Sequence, residues 1–135
     1  MRYRPTVYAE TTAYPEDFIR IIEEDIVILK VNLSRATFKE AEIFRDKILY
    51  DILRNNLKII VDLSICEYVD STFLGALVIA LKKLSDRGGE IKYVIPKPEA
   101  LYLLKLTGLY GVFNLYRTSE DAVDSFNYPP IESLQ

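Results

Sequence analysis

The chain has 135 residues, half of them hydrophobic, enough for one sizeable core and too little for two. Its net charge of −3 leaves no basic excess to neutralise phosphates, which disfavours direct nucleic-acid binding. Histidine is absent and Cys66 is the single cysteine, which excludes an intrachain disulfide, the usual zinc sites and any Ser-His or Cys-His nucleophilic pair. A carboxylate-only magnesium site stays open. The opening Met1-Arg2-Tyr3-Arg4-Pro5 lacks the apolar run of a secretory signal. No stretch approaches the roughly 20 apolar residues of a membrane span. A soluble, cytoplasmic protein is therefore the expectation.

Residues 1–17 are mixed and polar, with Pro5 and Pro15, and read as an N-terminal arm. Phe18 to Ile22 reads as a first strand, Glu23-Glu24-Asp25 as a turn, and the β-branched run Ile26 to Val31 as a second strand closing a hairpin. Asn32 to Ala36 reads as a loop. Thr37 and Glu40 have the spacing of a capping box, and Ala41, Phe44, Ile48 and Ile52 then fall on one helical face as far as Asn55-Asn56. Leu57 to Leu63 is a short apolar run suited to a central strand covered on both faces. A loop, Ser64 to Val69, leads to a second helix marked by Leu74, Leu77, Val78, Leu81 and Leu84. Asp70 or Ser71 is its natural N-cap and Gly88-Gly89 its stop. Ile91 to Ile95 is the next strand. Lys97-Pro98-Glu99-Ala100 opens a third helix that ends at Gly108. Val112 to Tyr116 is a last short strand, and Thr118-Ser119-Glu120-Asp121 caps a fourth helix through Phe126. Residues 127–135, with Pro129-Pro130, read as a tail.

Strands alternating with helices in this order predict an α/β domain over residues 18–126. Its sheet is mainly parallel, of four to five strands, with helices packed on it. Sites in such sheets lie beyond the carboxyl ends of strands, which is where Asp70-Ser71 falls.

Several segments carry a family resemblance. They are Ile60-Val61-Asp62-Leu63-Ser64, then Tyr68-Val69-Asp70-Ser71-Thr72, then Leu74-Gly75-Ala76-Leu77. Further on come Arg87-Gly88-Gly89-Glu90-Ile91, Leu106-Thr107-Gly108-Leu109, Phe113 and Ser119-Glu120-Asp121-Ala122. In this order and spacing they resemble the STAS family, in its anti-sigma factor antagonist form. The resemblance implies a phosphoacceptor at Ser71, modified by an anti-sigma factor that is also a serine kinase. It also implies a partner switch that a phosphatase resets. Asp70, Ser71, Thr72, Phe73 and Ser34 are the expected partner-binding residues, with no catalytic residue, metal or cofactor and no enzyme activity. A homodimer is left open.

Two positions depart from the family pattern. Phe73 stands where glycine is usual, and either narrows access to Ser71 or adds an anchor to an interface. Ser34 stands where switch proteins often carry aspartate. The helix from Phe38 to Arg45 looks more like the STAS domains of sulfate-permease-type anion transporters. A scaffold or accessory subunit of a stress-sensing or transport complex is accordingly the first alternative, and a small nucleotide-binding domain or enzyme the second. The simpler readings are that Asp70 is an N-cap, that Cys66 packs as a small apolar side chain, and that Lys82, Lys83 and Arg87 form a solvated face. Asp62 and Asp70 are also candidates to hold a cation together.

Overall fold

The computed structural model describes residues 16–95 and 97–128. Most of the expected N-terminal arm and C-terminal tail, residues 1–15 and 129–135, lies outside the described residues. Strand β1 (Phe18–Glu23) turns back into β2 (Ile26–Val31), with Phe18 opposite Val31 and Glu23 opposite Ile26. Glu24 takes a positive φ of 57°, as so tight a hairpin requires. Next come β3 (Arg35–Ala36), α1 (Phe38–Leu53), β4 (Lys58–Asp62), β5 (Tyr68–Val69) and α2 (Ser71–Ser85). The chain closes with β6 (Glu90–Val94), α3 (Pro98–Leu106), β7 (Leu115–Tyr116) and α4 (Ser119–Asn127).

Among the described residues the main sheet has five strands in the order β1-β2-β4-β6-β7, all parallel from β2 onward. β4 is central, and its alternate side chains feed two cores. Ile59 and Val61 point to the face covered by α1 and α2, where they join Val27, Leu29, Phe44, Leu77 and Ile91. Ile60 points the other way and joins Ile26, Ile28 and Val94 beneath Ala122 and Val123 of α4. This two-sided burial is why the strand reads as an unbroken apolar run.

The capping box at Thr37 and Glu40 forms as its spacing requires. α2 ends at Ser85, and Gly88 reverses the chain at φ +81°. At Gly89 a Cβ would stand 2.8 Å from the Leu57 carbonyl oxygen and 2.7 Å from the Leu84 side chain, so the approach to β4 has no room for a side chain.

Two expectations change. The segments 32–36 and 64–69 are not simple loops: Arg35 pairs with Tyr68 and Ala36 with Val69, a second, two-stranded parallel sheet. The last strand is shorter than Val112 to Tyr116. Val112 donates to the Leu109 carbonyl in a turn, and Phe113 instead stacks on Tyr93 at 4.5 Å. The strand is then Leu115 and Tyr116, paired with Tyr93 and Val94 of β6.

Candidate functional site

The small β3–β5 sheet brings two helix starts together. After β5 the chain runs into α2 at Asp70; after β3 it runs into α1 at Thr37. The Asp70 amide donates to the Ala36 carbonyl at 3.0 Å, which sets the two helix starts side by side. The Asp70 carboxylate then serves both. One oxygen accepts the Phe73 amide at 2.8 Å, which caps α2; the other accepts the Phe38 amide at 2.8 Å in the first turn of α1. Two orphan N–H groups from two helices are thus satisfied by one side chain. Its N-cap reading is correct, and the bridge to α1 is an addition that a linear sequence does not show.

Ser71 is the first residue of α2 and is exposed, as is Thr72. Among the described residues no general base is hydrogen-bonded to the Ser71 hydroxyl, and Asp70 is engaged with backbone amides. The hydroxyl is presented to solvent at the first position of the helix. A phosphate on it would sit at a helix N-terminus, where free N–H groups and the helix dipole favour an anion. Ser34 is exposed too, on the β3 side; its carbonyl accepts the Glu67 amide at 2.8 Å and the Tyr68 amide at 3.2 Å.

Phe73 requires a correction. Its ring is fully buried and packs on Phe44, with centroids 5.0 Å apart. It is neither a surface anchor nor an obstacle before the serine. A residue at the third position of α2 points inward, and the aromatic fills the core between the two helices.

Asp62 and Asp70 do not share a site. One Asp62 oxygen accepts the Ser64 amide at 2.9 Å and the other accepts the Ser119 hydroxyl at 3.0 Å, which ties the end of β4 to the start of α4. Among the described residues no three His, Cys, Asp or Glu side chains gather as metal ligands. Cys66 is fully buried under this corner. Burial, with the nearby Asp62 charge, pushes its thiol up to about 12, so it stays protonated and unreactive.

Two side chains that the sequence does not announce complete the surface. Phe38, in the first turn of α1, is 64% exposed, and Tyr68 is 43% exposed. The Arg35 guanidinium lies over the Tyr68 ring at 4.3 Å. Arg35, Phe38, Lys39, Tyr68 and Asp70 border an open hollow of about 420 Å³, and a second hollow of about 740 Å³ lies towards Ser34, Glu67 and Lys97. Phe38 stands three residues before Ala41, at the edge of the stripe Ala41, Phe44, Ile48 and Ile52, so the sequence pattern does not decide its exposure.

The model of the STAS domain matches residues 19–122 of this fold. The chain belongs to the STAS family. A Thermotoga maritima protein named as a candidate anti-sigma factor antagonist is 32% identical over 104 residues, covering 76% of this chain and 91% of its own. The crystal structure of a Thermotoga maritima candidate anti-sigma factor antagonist superposes with a TM-score of 0.75 at 28% identity, over 82% of this chain and 94% of that one. The phosphorylated form of the Bacillus cell-fate determinant SpoIIAA shares the fold, with a TM-score of 0.64 at 20% identity, over 81% of this chain and 98% of that one. The STAS fold places Asp70 and Ser71 beyond the carboxyl end of the central strand β4. Among the described residues no helix is long and apolar enough to cross a membrane.

Proposed function

We propose that this chain is an anti-sigma factor antagonist that works by partner switching. Unmodified, it binds an anti-sigma factor with serine kinase activity through the surface around Ser71. That partner phosphorylates Ser71, the complex parts, and a phosphatase resets the chain in the cytoplasm. It is a binding protein and a kinase substrate, not an enzyme. The observation that carries this reading is the exposed Ser71 hydroxyl at the first position of α2, on a frame fixed by the Asp70 carboxylate. The name carried by the Thermotoga maritima relative supports it.

The physics of the switch is local. A phosphoserine adds about −1.5 to −2 charge beside Asp70. On a free surface the helix N-terminus accommodates it; inside an interface the same charge brings desolvation and repulsion. Ser71, Asp70, Thr72 and Ser34 form the expected contact surface, and Phe73 supports it from below. The scaffold reading draws on Phe73 crowding the acceptor, on Ser34 and on the transporter-like helix from Phe38 to Arg45; the buried Phe73 ring weakens the first of these grounds alone.

The test is co-purification with each serine-kinase anti-sigma factor of the same genome, followed by ATP. Wild type binds one of them and gains one phosphate; Ser71→Ala binds and stays unmodified; Ser71→Glu binds at least about tenfold more weakly. If wild type neither binds nor is modified by any of these kinases, the reading fails.

A further inference from the structure

Charge around Ser71 is not what the overall net charge suggests. Of the acidic groups nearest the hollow, Asp70 has both oxygens committed to backbone amides, and Glu40 is folded back on the Thr37 amide at 3.0 Å and hydroxyl at 3.1 Å. Glu67 pairs with Lys97 at 3.3 Å. Arg35 and Lys39 are exposed and, among the described residues, have no ion-pair partner. Glu40 and Asp70 keep their charge, so the lining of this hollow is neutral overall on a chain of net charge −3, but among the described residues the charged side chains there without a hydrogen-bond or ion-pair partner are both positive.

The geometry is prepared for one kind of contact. Arg35 lies over the Tyr68 ring at 4.3 Å, a contact that positions the guanidinium, and among the described residues its N–H groups have no side-chain acceptor, so a carboxylate can take them. Beside it, Phe38 is 64% exposed on a backbone pinned by the Asp70 carboxylate, so burying that ring costs little conformational freedom. Among the described residues this ring belongs to neither core, and it precedes the buried stripe of α1.

Resting on the partner-switch reading, we infer that the anti-sigma factor meets this corner with an acidic segment: a carboxylate that takes Arg35 and Lys39, next to an apolar slot that takes Phe38. A phosphate on Ser71, next to Asp70 at the start of α2, then adds negative charge on the side of the partner's carboxylate and weakens the contact.

The experiment measures the affinity of the purified anti-sigma factor kinase for wild type and variants, with folding checked by circular dichroism and melting temperature. Arg35→Glu and Phe38→Ala each weaken binding at least about tenfold, and Lys39→Glu about threefold or more. Arg54→Glu is the matched control: it also removes an arginine stacked on a tyrosine, at 4.4 Å over Tyr50, but at the far end of α1, about 24 Å away. It changes binding less than twofold. Wild-type affinity falls as salt rises, and Arg35→Gln flattens that dependence. If Arg35→Glu binds equally well or more tightly, or if Phe38→Ala is neutral, the inference is overturned, while Ser71→Glu still reports on the switch itself. If wild type binds no anti-sigma factor, both fall.

Discussion

Asp70 joins the starts of two helices, and replacing it separates its two jobs. Asp70→Ala removes the cap bond to the Phe73 amide and the bond to the Phe38 amide, each 2.8 Å. Loss of an N-cap costs about 1 kcal/mol. The second bond is to a charged acceptor but reaches an exposed amide that water can serve instead, so it contributes about 0.5–1 kcal/mol. The sum is about 1.5–2 kcal/mol. Asp70→Ser keeps a competent cap, since serine ranks with aspartate there, but its short side chain falls short of α1. It is expected to cost about 0.5–1 kcal/mol. Urea unfolding with a linear extrapolation reads both. With a slope of about 2 kcal/mol/M, Asp70→Ala moves the midpoint down by about 1 M. Two outcomes refute the reasoning: an Asp70→Ala cost below about 0.5 kcal/mol, or equal costs for serine and alanine.

Phe73→Ala empties a fully buried site against Phe44 and is expected to cost about 3–4 kcal/mol, while Phe73→Leu costs less than about 1.5 kcal/mol; thermal melting distinguishes them. The buried Asp51 carboxylate accepts Arg20 Nε at 3.1 Å and Asn56 Nδ2 at 2.9 Å, so Arg20→Ala, which strands the carboxylate, is expected to cost about 2 kcal/mol. Asp51→Asn, which keeps an acceptor for a half-exposed arginine, is expected to cost about 1 kcal/mol; the reverse order in denaturation would contradict the ion-pair account. Cys66 has a folded pKa of about 12 against an ordinary 9.0, so it contributes stability below pH 9 that is lost as pH rises from 9 towards 12, at up to about 1.4 kcal/mol per pH unit. Cys66→Ala therefore shows a shallower loss of stability over that range, and an equal slope in wild type and variant would remove this assignment.

Local chemistry was legible wherever a residue's role depends on near neighbours in the chain. The capping box at Thr37 and Glu40, the cap at Asp70, the two-sided apolar run of β4 and the glycine stop after α2 are all patterns spanning a few residues. So is the family signature around Ser71. The sequence itself determined the α/β class, the order of the helices and main-sheet strands and the place of the serine at a helix start. Only the tertiary structure decided which side chains surround that serine. Arg35 and Tyr68 are 33 positions apart and meet through two-residue strands too short to show any alternation. Phe38 and Asp70 meet across 32 positions by a single hydrogen bond. The direction of Phe73 depended on the register of α2 over Phe44, and the exposure of Phe38 on where α1 meets the sheet. A linear pattern fixes a helix and its phase; it does not fix what a distant strand sets beside the helix's first turn, and that is where the partner surface lies.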